Sequence, residues 1–136
     1  LRAVALLSRL AIIDFKKRGG GRIINVTSRA AFRGDTAEYM AYAASKGGVL
    51  NLTKSIAKNY GKEGIKCFAL APGFVNTDMA KPFIEQYGED FTTSDIALDE
   101  LTEPKDVAAF AVFLASGFAD HATGTHIDIN AGSYLH

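Results

Sequence analysis

Tyr42 and Lys46 stand four residues apart in the run Tyr42-Ala43-Ala44-Ser45-Lys46. On a helix this spacing puts both side chains on one face, one turn apart. A free tyrosine, with a pKa of about 10, is a poor base near neutrality. An ammonium held beside it stabilises the tyrosinate; about 4 kcal/mol of differential stabilisation brings a phenol down by about 3 units. Such a pair is suited to giving a proton to an alcohol oxygen or taking one from it. With 5 tyrosines among 136 residues and the lysines present, chance supplies about 0.3 such pairs, so the pair alone leaves a surface or packing role open.

Ser28 adds a hydroxyl. It follows the short β-branched run Arg22-Ile23-Ile24-Asn25-Val26-Thr27, which predicts a strand over 22–28 with Ser28 at its carboxyl end. A serine there either bonds the local backbone or faces a ligand. In open α/β sheets ligands bind beyond the carboxyl ends of the strands. Tyr42, near the start of the next helix, falls on that rim, as does Pro72-Gly73 after the next strand. Three separate features therefore point to one edge of a sheet.

The elements that must position them follow from periodicity. Val4, Leu7, Leu10, Ala11 and Phe15 predict an amphipathic helix over 1–18, closed by Lys16-Lys17-Arg18 and Gly19-Gly20-Gly21. Gly34-Asp35 marks a turn. Val49, Leu52, Ile56 and Tyr60 predict a long helix from Met40 to Tyr60. Ile65–Ala71, nearly all apolar, reads as a strand covered on both faces. Residues 74–103 mix aromatics with polar residues and suggest a mobile region with one or two short helices. Pro104 opens a helix through Val107, Phe110, Ala111 and Leu114, with Thr102 expected as its N-cap. His126–Ile129 is a last short strand.

Helix–strand–helix–strand–helix–strand implies a single α/β domain over 1–136 with a parallel sheet. The strands at 22–28 and 65–71 both read as central ones, and three strands give them few neighbours. Earlier strands are therefore expected in a parent protein, since the chain starts at Leu1 inside a helical pattern. Alone, the 22–28 strand is expected to present an unpaired edge and the chain to be poorly stable.

Composition narrows the function classes. Lys+Arg and Asp+Glu number 15 each, a balance that argues against nucleic acid or an anionic membrane as partner. No apolar run reaches the ~18 residues of a membrane span. The single cysteine, Cys67, cannot form an internal disulfide and points to a reducing, cytoplasmic setting. His121, His126 and His136 lack metal-ligand spacing beside Cys67, so no metal is expected. Tyr39 is followed four residues on by Ala43 and lacks Tyr42's cation. Phe83, Tyr87 and Phe91 are expected either to line a substrate pocket or to pack beneath a lid.

Four blocks in order carry a resemblance: Gly21-Arg22-Ile23-Ile24-Asn25-Val26-Thr27-Ser28, then Tyr42-Ala43-Ala44-Ser45-Lys46, then Ala71-Pro72-Gly73-Phe74-Val75-Asn76-Thr77-Asp78-Met79, then Gly124-Thr125-His126-Ile127-Asp128-Ile129-Asn130-Ala131-Gly132. Together they resemble the short-chain dehydrogenase/reductase family, 3-oxoacyl-carrier-protein reductases among its members, over essentially the whole chain. The resemblance implies the C-terminal part of a Rossmann-like, doubly wound parallel sheet and an oxidoreductase using NAD or NADP on an alcohol/ketone pair. It implies Tyr42 as general acid/base, Lys46 as its cation and ribose contact, and Ser28 as the holder of the substrate oxygen. It places Pro72, Gly73 and Val75 at the carboxamide, adds a cofactor contact at Thr77, and implies a homo-oligomer, dimer or tetramer. The family's glycine-rich phosphate turn does not occur in these residues, and its catalytic asparagine would align immediately before Leu1. The spacing from Ser28 to Tyr42 is one residue longer than in many relatives. A chain of assembly-competent but catalytically incomplete elements, acting only in oligomer formation, is the alternative expectation.

Overall fold

The computed structural model of the chain describes residues 1–78, 80–88, 90, 93–98 and 100–135. Strands β1 (Gly21–Val26), β2 (Ile65–Pro72) and β3 (His126–Ile129) form a parallel sheet in the order β1-β2-β3. The apolar run becomes the middle strand, where residues Cys67 to Ala71 are each at most 1% exposed. Such burial on both faces requires helices above and below.

Helices α1 (Arg2–Arg18) and α3 (Met40–Tyr60) cover one face, burying Ile12, Ile56 and Ala57 against Ile23, Ile65 and Cys67. The short α2 spans Ala30–Arg33, and a 3₁₀ turn at Ala37–Tyr39 leads into α3. On the opposite face, α5 (Pro104–Ala115) sets Leu114 against Phe68, Leu70 and Ile129. Between β2 and α5 lies α4 (Lys81–Tyr87). At the end of α1, Gly19 adopts the left-handed φ of 81° and returns its N–H to Phe15, the stop expected after three basic residues.

A buried polar chain registers α3 on the sheet. The Asn25 amide donates to Thr53 Oγ1 at 3.0 Å, with Cys67 Sγ at 3.7 Å, and the Thr53 hydroxyl donates to the Val49 carbonyl at 3.0 Å. Thr53 is fully buried. A sequestered polar group costs about 1–3 kcal/mol when unpaired, so the helix cannot rotate away without exposing that penalty.

Two expectations are corrected. Strand β1 ends at Val26 rather than Ser28, because Thr27 keeps one bond to the ladder, to Leu70 at 2.7 Å, while its side chain turns to the carbonyl of Lys46. The N-cap of α5 is Glu103, not Thr102: the Glu103 carboxylate and Asp106 form a reciprocal capping box. The backbone of Thr102 is engaged elsewhere, in a parallel bridge with Val75. Among the described strands β1 has only β2 as a neighbour, the unpaired edge expected of these residues taken alone.

Burial pushes the Cys67 thiol up to about 11, against smaller opposing hydrogen bonds from Thr53 and the Phe68 backbone. An unfolded cysteine titrates near 8.5. Between these values the unfolded chain loses a proton that the folded one keeps. Stability therefore falls as pH rises through that window, by about 3 kcal/mol when complete. Urea unfolding at pH 8 and pH 10 is expected to show a larger alkaline loss for the native sequence than for Cys67→Ala.

Candidate functional site

The carboxyl ends of all three strands and the first turns of α3 meet at one rim of the sheet. Lys46 is fastened there from both directions. Its ammonium donates to the Val26 carbonyl at 3.1 Å, and the Thr27 hydroxyl donates to the Lys46 carbonyl at 2.8 Å. The helix is thus bound to the end of β1 at the residue that carries the cation. One turn earlier, Tyr42 lies with its ring centroid 5.6 Å from the Lys46 ammonium. The helical spacing read from sequence is therefore a real contact, within the range in which a cation is attracted to an aromatic face. Tyr42 is 44% exposed, so its phenol stands at a surface that a ligand can reach.

Ser28 sits two residues past β1 and is 8% exposed. Its hydroxyl oxygen accepts the Ala30 N–H at 3.2 Å, the local backbone bond of a strand-end serine. The adjacent Arg29 N–H donates to the Pro72 carbonyl at 3.0 Å, which ties the Ser28 loop to the loop after β2.

That second loop is held in turn by β3. Gly73 donates to Ile129 at 2.9 Å, and a Cβ on Gly73 would come within 2.8 Å of the Asn130 Cα. Here glycine is required by close backbone approach. Val75 bridges to Thr102, and Asn76 donates to the Thr102 carbonyl at 2.9 Å. By the alternation of parallel pairing, the N–H and C=O of Val75 itself are directed to the other side. Thr77 is exposed, and its carbonyl accepts the N–H groups of Ala80 and Lys81 at the start of α4.

The rim therefore gathers Ser28, Tyr42, Lys46, Pro72 and Gly73, with Val75 and Thr77 following on the same loop. Tyr39 lies outside α3, on the 3₁₀ turn. Phe83 contacts Phe74 and Tyr87, with ring centroids at 5.6 and 4.6 Å. Met79, Phe91 and His136 lie outside the described residues. His126 contacts the Phe32 ring at 4.6 Å. A two-bond ion pair, Arg22 with Asp120 at 2.7 and 2.8 Å, begins from the second residue of β1, away from this rim, and holds the Asp120 carboxyl below the usual carboxylate range.

Sequence reasoning missed the Thr27 hydroxyl, the Asn25–Thr53 pair and an ion pair between Arg29 and Asp95 at 3.1 Å. Polar residues flanking a buried strand were a signal for the first two. Nothing in the spacing of Arg29 and Asp95 could have paired them.

The fold is that of a known class. A family model described as enoyl-(acyl carrier protein) reductase matches residues 1–134, and the chain belongs to the short-chain dehydrogenase/reductase family. It is 39% identical over 136 residues to the 7alpha-hydroxysteroid dehydrogenase of Bacteroides fragilis, covering 100% of this chain and 52% of that one. It is 34% identical over 135 residues to the 3-oxoacyl-(acyl-carrier-protein) reductase FabG of Vibrio harveyi, covering 99% and 54%. Among solved structures, a 7 alpha-hydroxysteroid dehydrogenase complexed with NADH and 7-oxo glycochenodeoxycholic acid superposes with a TM-score of 0.89 at 30% identity, over 97% of this chain and 51% of that one. The chain thus spans about half the length of the curated relatives it matches. Among the described residues no helix is long and apolar enough to cross a membrane.

Replacing Gly73 by alanine is expected to push the loop after β2 away from Asn130 and to destabilise the fold by about 1–3 kcal/mol. Chemical denaturation of Gly73→Ala against the native sequence reads this directly.

Proposed function

We propose that this chain carries the proton-transfer half of an oxidoreductase that interconverts an alcohol and a carbonyl compound with NAD or NADP. The observation that carries the reading is the Lys46 ammonium held at Val26 and beside the Tyr42 ring. A nicotinamide dinucleotide, when bound, supplies or accepts the hydride at the substrate carbon. The protein's residues handle the proton and the geometry.

In the oxidising direction, the substrate hydroxyl gives its proton to the Tyr42 oxygen as its carbon gives up hydride. In the reducing direction, Tyr42 returns that proton to the carbonyl oxygen. The Lys46 ammonium stands beside the Tyr42 ring throughout. Ser28 accepts one bond from Ala30 and retains its own hydroxyl proton for the substrate oxygen.

The residues present fit the reacting end of a nicotinamide dinucleotide. The outward N–H and C=O of Val75 would take a carboxamide, and Lys46 and Tyr42 would take the ribose hydroxyls. Thr77 offers a further hydroxyl. The glycine-rich phosphate turn is not among these 136 residues, so the fit concerns that end of the cofactor alone.

A homo-oligomer, dimer or tetramer, is supported by a further observation. Leu6, Leu7, Leu10 and Ile13 of α1 are each 46% or more exposed, a row that a second copy would cover. Assembly is thus a companion to the catalytic reading, and the same face would serve the assembly-only alternative.

Tyr42→Phe removes one oxygen and leaves the ring beside Lys46. Turnover of ketone with NADH or NADPH, followed at the nicotinamide absorbance, is expected to fall by at least about 10²-fold, the scale of general acid/base catalysis. Turnover equal to the native sequence would overturn the reading.

A further inference from the structure

Residues 93–98 cross the rim as a strap tied at Asp95 and at Ala97. At one end, Asp95 pairs with Arg29 at 3.1 Å and lies 3.9 Å from Arg33. At the other, the Ala97 N–H donates to the Ala131 carbonyl at 2.7 Å, and a Cβ on Gly132 would lie 2.7 Å from that of Ala97. The two anchors differ in kind. The Ala131 anchor is built into the exit of β3. Ala131 holds a left-handed φ of 52°, the one such non-glycine among the described residues, and Asn130 locks the turn by accepting from Gly132 and donating to the Tyr134 carbonyl, both at 3.0 Å. A left-handed alanine costs about 1 kcal/mol or more, which the Asn130 bonds offset.

The Arg29 anchor is an ion pair and can be released. The Arg29 side chain is only 13% exposed, whereas that of Asp95 is 48% exposed. Burial and the neighbouring Arg33 work against the Arg29 charge, while Asp95 and the more distant Asp35 favour it. Without Asp95 the guanidinium would face Arg33 at partial burial. Arg29 is also joined by one peptide bond to Ser28, and its own N–H is committed to Pro72. Movement of the strap end is therefore felt at the loop that carries the serine.

We propose that Arg29 is a positioning residue, its bond to Asp95 closing the 93–98 strap over the rim and fixing the Ser28 loop beneath it. This rests on the oxidoreductase reading for its consequence in substrate binding, but the closure itself does not. Opening the clasp loosens the substrate's cover while leaving Lys46 fastened to the end of β1 and Tyr42 beside it.

The test uses Arg29→Ala, Asp95→Asn, Arg29→Lys and the charge exchange Arg29→Asp with Asp95→Arg. Hydrogen exchange of the Ile96 and Ala97 amides is expected to quicken about 2- to 5-fold in the first two variants, the range of a partly exposed ion pair. It should return toward the native rate in the charge exchange, and Arg29→Lys should fall between. KM for a ketone should rise by a similar factor with kcat within about twofold. Asp95→Asn alters an exposed side chain, so it keeps the measurement open if Arg29→Ala fails to fold. Unchanged amide exchange in Asp95→Asn, or a charge exchange no better than the single variants, would overturn the clasp. Native protein that turns over no ketone would instead defeat the oxidoreductase reading, and the exchange rates would still decide the closure.

Discussion

The site depends on how α3 is fastened to the end of β1. A helix lying on a sheet through apolar contacts alone can slide or rotate at modest cost, because the hydrophobic effect has no direction. Directional bonds remove that freedom. Lys46 contributes its carbonyl to the Thr27 hydroxyl and its ammonium to the Val26 carbonyl, so one residue is bound at both its backbone and its tip. Two turns further along, Asn25 and Thr53 repeat the fastening inside the core. Residues 42, 46, 49 and 53 form one stripe of the helix. With 46 and 53 fixed, Tyr42 has little choice but to face the rim.

The same economy governs the loops. Arg29 reaches Pro72, Gly73 reaches Ile129, and Ala97 reaches Ala131. Each strand exit is bonded to the next through backbone groups that would otherwise need water. The rim is thus a continuous network running from β1 through β2 to β3, and the Tyr42 phenol and the Val75 amide are held at its edge by neighbours already committed. The proposed proton transfer would gain from that fixity, since a reacting group must lie within hydrogen-bond reach of its partner's oxygen.

Much of this could be read from residue order. The long helix begins at Met40 and ends at Tyr60 as its apolar spacing requires, and Ile65–Ala71 lies in the buried middle strand because no other position hides both of its faces. Tyr42 and Lys46 were legible because an i, i+4 spacing is local, and Pro72-Gly73 because a breaker after an apolar run marks a strand exit. What escaped was long-range or a matter of one hydroxyl. Thr27 shortens β1 because its side chain finds the Lys46 carbonyl, nineteen positions away. Thr102 yields the N-cap to Glu103 because its backbone is bridged to Val75. Asp95 meets Arg29 across 66 positions. Such pairings follow from tertiary closure, and no window of sequence contains both partners.

The most direct measurement of this account is the turnover of Thr27→Val beside Thr27→Ser, each shown to melt cooperatively. Valine keeps the shape of threonine and loses the bond to Lys46, and a misplacement of about 1 Å at a reacting group costs about 10²-fold. The account predicts nicotinamide turnover reduced at least about 10-fold in the valine variant and near native in the serine variant. A valine variant that turns over like the native protein would contradict it.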